Sequence, residues 1–550
     1  MSEKHVMSRK TNRRKFLGRV GGVSGAAVAA NIIGWPSLSL LGIATAEAAE
    51  IGPVTAEQRA DQAYNVRVAA ALDQRQQPLP SHPTNGDEEL YANKIANYSK
   101  ALPHSSLGEV NLPSYNALIS ALTTGNPTDF ELIPKGGTAK QANPQAAFTF
   151  ELEGADSHHL SIPAPPTYTS EAQGGEMAED YWQALTRDIP FSQYGLNPLT
   201  TQAVTDLARF SNYAEVTIGT LFRGSSPGDD IGPYISQFLW KDIPYGSTAL
   251  TMFTQRYKVP LLNNDHMTAY SEWFNVQNGI PPSTAITFDP VPHYIRNNRD
   301  LGEWVHTDFT YQGFLNAALI LLSYGGAAVD SGNPNRTSQT QGSFITFGGP
   351  HILDWVGRVT NASLKASWYQ KWLVHRRVRP EAFAGNVHNH KVGAASYPIH
   401  QKLLNSQALS LLFLKNGNYL LPMAYPEGSP THPSYPAGHA AIAGACATVL
   451  KAFFNESFVI PEPVAATDDG LLLLPYSGAP LTVGGELNKL ASNISLGRDA
   501  AGVHWRSDGI EGLKLGEAVA ISIMRDFRRT YNENFNGFSL TKFDGTTITI

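Results

Sequence analysis

Three short segments of this sequence hold residue types that could grip an anion. The first is Lys371-Trp372-Leu373-Val374-His375-Arg376-Arg377-Val378-Arg379-Pro380. At about 100° per residue, the steps from Lys371 to Arg379 sum to about 80°, which places both cations on one side of a helix. Pro380 disfavours helical geometry at Arg379 and predicts that the helix ends there. The second segment is Thr431-His432-Pro433-Ser434-Tyr435-Pro436-Ala437-Gly438-His439, a turn fixed by proline and glycine that enters a helix. A helix N-terminus presents free N–H groups and partial positive charge. Gly438 lets the backbone approach closely, and His432 and His439 flank that position. The third segment is Gly497-Arg498-Asp499-Ala500-Ala501-Gly502-Val503-His504-Trp505-Arg506-Ser507-Asp508. Arg498 and His504 lie about 240° apart on a regular helix. They can share a site only across a break, which Gly497 and Gly502 offer. Taken singly, each segment has a plain structural explanation: a solvated basic face, an ordinary helix entry, two residues on different helix faces. Together they supply a lysine, two arginines, a helix N-terminus and two or three histidines. That set suits a tetrahedral or trigonal-bipyramidal oxyanion. A hydrated divalent metal needs carboxylate oxygens, of which the segments have few, and no H-E-x-x-H pair marks zinc.

The elements that must position these residues can be read from the rest of the chain. Its 550 residues are 42% hydrophobic, enough for one large domain or two ordinary ones. The formal charge of −6 carries no basic stripe and so argues against a nucleic-acid partner. The one cysteine, Cys446, excludes an internal disulfide framework and reads as a small buried apolar residue. Residues 1–48 read as a twin-arginine export signal. Asn12-Arg13-Arg14-Lys15-Phe16-Leu17 precedes a weakly apolar stretch, and Ala46-Glu47-Ala48 forms a cleavage pattern. This predicts a periplasmic or extracellular protein. The longest later apolar run, Gly313 to Leu322, is too short to span a bilayer, so no membrane is expected for the mature form. Residues 49–290 form an N-terminal helical half with arms and loops, proline-rich at Gln77–Pro83 and Pro163–Pro166. Residues 291–550 form the half that carries the three segments. Here Leu315, Ala318, Leu319 and Leu322 recur at helical spacing, as do Ile442, Cys446, Val449 and Phe453. Near the C-terminus, strand-like runs flank Asp544-Gly545, a hairpin signal.

The motifs K-W-x-V-H-R-x-x-R-P-E, H-P-S-Y-P-x-G-H and G-R-x-x-x-G-x-H, in that order, resemble those of the vanadium-dependent haloperoxidases. Within that family the likeness is to the algal and cyanobacterial bromoperoxidase branch. The wider superfamily includes the type-2 phosphatidic acid phosphatases. The likeness extends to Arg299–Leu301, Trp304–His306, Phe347–His351 and Asp508–Ile510, and is strong from about residue 299 onward. It implies an all-α fold of two four-helix bundles in one large domain with minor β-hairpins. It implies a vanadate cofactor, with His504 as the ligand to vanadium and Lys371, Arg379, Arg498 and the Gly438 N–H holding its oxygens. His439 would be the acid–base group for hydrogen peroxide, Lys371 would polarise the peroxide, and His432 would tune protonation or halide reactivity. Asp308 matches a carboxylate that supports His439. The reaction implied is oxidation of bromide or another halide to hypohalous acid, which halogenates small organic acceptors. Homo-oligomers are expected by the same analogy. One departure is Ala437, where the family usually has serine; a hydrogen-bonding hydroxyl is lost there. The alternative is an acid phosphatase of the same superfamily with His504 as nucleophile. The spacing of Lys371 and Arg379, together with His432, points to the peroxidase.

Overall fold

A computed structural model describes residues 55–246 and 251–550. The twin-arginine leader expected at residues 1–48 lies outside the described residues. Of the unit Met1–Asn65, the described part is helical from Ala56. Val66–Ile550 form the second, compact unit.

The helices that carry the architecture are α1 (Glu171–Thr186), α2 (Pro198–Leu207), α3 (Asn298–Thr307), α4 (Gln312–Ser323), α5 (Gly349–Tyr369), α6 (Pro380–Lys391), α7 (Gln407–Asn416), α8 (Gly438–Phe453), α9 (Val483–Ala500) and α10 (Arg506–Arg528). They pack as two bundles. In one, α1 gathers α2, α6 and α7 over a core that includes Trp182, Leu207, Phe383 and Leu412. In the other, α8 is central and packs on α5, α9 and α10, with Trp355, Ile442, Val449, Leu487 and Val519 in the core. Each such aliphatic side chain contributes about 1.5–3 kcal/mol on burial. Helix α9 also touches α1, which ties the bundles together, and α3 crosses α9.

Helix α8 is buried on nearly every side, as its run of alanine, valine and isoleucine predicts. Ile442, Cys446, Val449 and Phe453 are all buried. Its approach to α10 depends on glycine. A Cβ at Gly444 would lie 2.1 Å from the Leu513 carbonyl oxygen, and one at Gly516 would lie 1.9 Å from that of Ala441.

Among the described residues, strands occur only as two-stranded antiparallel pairs. The expected C-terminal hairpin pairs Ser539–Thr541 with Thr547–Thr549, and Gly545 takes the left-handed turn position at φ 84°.

Two expectations need correction. Helix α4 exists, but its buried face is Phe314, Ala317, Ala318, Ile320 and Leu321, while Leu315, Leu319 and Leu322 are only partly covered. The region before Pro198 is also more helical than its composition predicts. It holds the long helix Ala56–Gln76 and α1, whose buried face includes Glu176, Glu179 and Asp180.

Candidate functional site

The three segments meet at one place. The first does not run as a helix to Arg379. Helix α5 passes into a π-helical turn over Gln370–His375, and Arg376 then adopts a left-handed conformation at φ 43°. The next residues are extended because a strand-like stretch of the N-terminal half catches them. Tyr98 N donates to Arg376 O at 2.8 Å and Val378 N to Ala96 O at 3.0 Å. Arg379 caps α6, which begins at Pro380. Lys371 and Arg379 therefore converge through a chain reversal rather than along one helix face. The local pattern could not show this, because the partner stretch lies far away in sequence.

In the third segment α9 ends at Ala500, and Gly502 makes the break at φ 84°. A Cβ there would lie 2.9 Å from Met423 Sδ. Gly497 stays helical. His504 sits in the connection just ahead of α10. The second segment enters α8 as expected, with Ala437 as an N-cap that makes no side-chain hydrogen bond. The first N–H groups of that helix, Gly438 included, have no intrahelical acceptor.

The segments are stitched to each other. Lys371 Nζ donates to the carbonyls of Pro433 (2.8 Å) and Ser434 (2.6 Å). Arg379 Nε donates to His432 O at 3.0 Å and its Nη1 to Val503 O at 2.7 Å. Ala437 N donates to Asp508 O at 2.9 Å, and Trp505 Nε1 to Val378 O at 2.8 Å.

The electrostatics of this junction are one-sided. Lys371, Arg379 and Arg498 are 0%, 1% and 4% exposed, and no carboxylate bonds to any of them among the described residues. Burial, then Arg379 and Arg498, hold the Lys371 ammonium well below its usual range, while Asp508 acts the other way. Burial and Arg498 bring Arg379 down to about 10, against the opposing pull of Asp508. Arg498 Nη1 donates to Val305 O at 3.0 Å, but its buried Nε has no acceptor. Uncompensated buried cations are costly, so this junction is built for a multiply charged anion.

The histidines are arranged around it. His504 is 2% exposed, and its Nδ1 donates to Asp508 Oδ2 at 2.8 Å. That fixes the tautomer and leaves Nε2 with a lone pair, 3.0 Å from Arg379 Nη1. Burial and then Arg379, Lys371 and Arg498 keep this imidazole uncharged. His432 Nδ1 accepts from Arg379 Nη2 at 2.9 Å, and its ring lies 4.8 Å from that of Trp368. Burial, then Lys371 and Arg379, push its pKa well down. His439, on the first turn of α8, is the partly exposed member at 29%. Its Nε2 donates to Asp308 Oδ1 at 3.2 Å. Burial and Arg498 lower its pKa, and the Asp308 bond opposes them. Asp308 caps the C-terminus of α3, and its side chain is 3% exposed.

Residues 356–533 match the family model described as the VCPO second helical-bundle domain. The vanadium-dependent bromoperoxidase of Ascophyllum nodosum is 36% identical over 529 residues, which cover 90% of this chain and 93% of that protein. The chain belongs to the vanadium-dependent bromoperoxidase family. A second member, from Corallina pilulifera, is 34% identical over 601 residues, covering 90% of this chain and 99% of its own. The solved homohexameric second vanadate-dependent bromoperoxidase of Ascophyllum nodosum superposes with a TM-score of 0.82 at 30% identity, over 95% of each chain. Membership of this family does not favour the acid-phosphatase alternative.

Asp508, the last residue of the third segment, is the hub behind His504. Its carboxylate also accepts from Ser434 Oγ, from Trp505 N at 3.2 Å and from Arg377 Nη1 at 2.8 Å. Arg377 in turn is held by Glu176 (2.8 Å) and Gln173 (2.7 Å) of α1. The available signal was the spacing of four residues from His504 to Asp508 across a helix start. The reach to Arg377 and Glu176 is tertiary and had no local signature.

Proposed function

We propose that this chain uses hydrogen peroxide to oxidise bromide to hypobromous acid, which brominates small organic acceptors, with vanadate held in the buried cationic pocket. The observation that carries this reading is the burial of three cations that no carboxylate bonds, beside His504, whose Nδ1 is held by Asp508 and whose Nε2 faces Arg379 Nη1 at 3.0 Å. The donor set fits a small oxyanion. It has hydrogen-bond donors in excess, one of them the unpartnered Arg498 Nε. When bound, vanadate supplies Lewis-acid activation of the peroxide without changing its own oxidation state.

The roles of the chain's residues follow from their settings. Lys371, Arg379, Arg498 and the Gly438 N–H would hold the oxyanion, and His504 would offer Nε2 as its ligand. Asp508 holds that imidazole in the correct tautomer. His439 takes up the proton of incoming hydrogen peroxide, and Asp308 keeps its ring aimed inward. Lys371 would hold the oxygens of the bound oxyanion and offset negative charge on them, the setting in which a buried ammonium polarises a peroxide. His432 fixes the Arg379 fork and tunes protonation near the halide. His439, partly exposed, marks the side from which peroxide and halide enter.

In this reading residues 291–550 are the catalytic half and 49–290 the scaffold around it. Residues 1–48 are a twin-arginine leader that sends the folded protein to the periplasm or beyond. No described helix is long and apolar enough to cross a membrane. The chain assembles as a homo-oligomer, a proposal supported by the homohexameric relative.

The test is bromination of monochlorodimedone by vanadate-loaded protein with hydrogen peroxide, run beside p-nitrophenyl phosphate hydrolysis. Vanadate- and bromide-dependent turnover that His504→Ala abolishes is expected. Phosphate-ester hydrolysis without bromination would overturn the reading.

A further inference from the structure

We propose that Tyr425 and His306 are positioning residues for Arg498 and thereby set how tightly the pocket binds its oxyanion. This rests on the pocket reading above. Arg498 is the least tethered of the three cations. Lys371 has two carbonyl acceptors and Arg379 has two carbonyls and two imidazoles. Arg498 has Val305 O, and its Nε points at no acceptor. What else meets it is a ring: its guanidinium carbon lies 5.4 Å from the Tyr425 centroid, and its Nη1 is 3.5 Å from the Tyr425 hydroxyl. A cation over a buried, desolvated ring is held more strongly than one in water.

The ring is itself fixed from several sides. The Tyr425 hydroxyl donates to Gly302 O at 2.5 Å. The His306 imidazole stacks on it with centroids 3.8 Å apart and planes 12° from parallel. His306 is clamped by Glu427 at 2.7 Å and Glu303 at 3.4 Å. The neighbouring Ala424 N donates to Ala501 O at 3.1 Å, in the connection that follows α9. Gly302, Glu303, Val305 and His306 all belong to α3, whose next residue but one beyond His306 is Asp308. One helix thus holds the Arg498 acceptor, the Tyr425 anchor and the His306 clamp. A close helix crossing brings it there: a Cβ at Gly497 would lie 3.0 Å from Val305 Cγ2. The two carboxylates overcome burial and raise the His306 pKa to about 9, so the stacked ring is an imidazolium at neutral pH.

The test is a double-mutant cycle read by equilibrium dialysis of vanadate against the apo full chain, with folding checked by circular dichroism. Tyr425→Leu removes the ring and weakens vanadate binding about tenfold, the size of one desolvated cation–ring contact. Tyr425→Phe keeps the ring and lies closer to wild type. In an Arg498→Ala background, Tyr425→Leu adds nothing beyond about twofold, because its effect runs through the missing guanidinium. Equal weakening in both backgrounds, or none in either, overturns the inference. If Tyr425→Leu does not fold, His306→Gln replaces it in the same cycle with an expected effect of about threefold. An Arg498→Ala protein that binds vanadate like wild type instead overturns the pocket reading itself, whatever Tyr425 does.

Discussion

Asp508→Asn is the substitution whose outcome the geometry determines most tightly. The side chain is 0% exposed, and every protein donor around it expects a carboxylate oxygen. His504 Nδ1, Ser434 Oγ and Trp505 N address Oδ2, and Arg377 Nη1 addresses Oδ1. An amide can satisfy only one of these sides. If its NH2 faces Arg377, donor meets donor. If it faces His504, the imidazole must move its proton to Nε2 and loses the lone pair needed for a ligand. Either way one charge-assisted hydrogen bond is lost, worth about 1.5–3 kcal/mol. The fold should survive, because Arg377 keeps Glu176 and Gln173. Losing the partner that orients a ligating histidine typically costs about 10–100-fold in affinity. Urea unfolding should therefore show a loss of about 1.5–3 kcal/mol, and equilibrium dialysis should show vanadate binding weaker by about 10–100-fold. A variant with wild-type vanadate affinity would refute the argument that Asp508 prepares His504.

Other outcomes follow from the same contacts. His439→Ala should lower bromide turnover by about 10²–10⁴-fold in steady-state bromination, while vanadate binding changes far less. Asp308→Asn removes the negative charge that helps raise the His439 pKa; the pKa then falls further, and the acid limb of the profile of kcat/KM for peroxide against pH moves to lower pH. A shift to higher pH would contradict this. Ala437→Ser supplies the missing N-cap of α8 and should stabilise the fold by about 0.5–2 kcal/mol in urea unfolding. If its hydroxyl also reaches the oxyanion, vanadate binding tightens about tenfold. Lys100→Met should cost about 3–5 kcal/mol of stability in the same assay. It strands Glu381, which lies 2.7 Å from the ammonium and is 1% exposed, and releases the carbonyls of Glu427 and Ser429.

How much of this was legible beforehand depended on how local the cause was. Helix α8 follows from its unbroken small and apolar run, and the C-terminal hairpin from Asp544-Gly545 between strand-like runs. The break that frees His504 was visible in Gly502. The path from Lys371 to Arg379 reads locally as one helix, whereas the chain reverses at Arg376. The contacts that end it, with residues 96 and 98, come from far away in the chain. Helix α1 was hidden because its buried face carries Glu176, Glu179 and Asp180, which look like solvent residues until Arg377 and Arg506 are placed against them. The inward face of α4 was displaced because its partners, not its own periodicity, choose which leucines are covered. The residues expected to gather, Lys371, Arg379, His432, Gly438, His439, Arg498, His504 and Asp308, do lie in one neighbourhood. Asp508, Tyr425 and His306 complete it through contacts that no motif records.

Vanadium anomalous scattering from crystals of the vanadate-loaded protein would show whether one pentavalent oxyanion sits among residues spread over more than a hundred positions. A single peak bonded to His504 Nε2 is expected, with Lys371, Arg379 and Arg498 donating to the surrounding oxygens. A peak elsewhere in an active enzyme, or full activity with no vanadium bound, would contradict it.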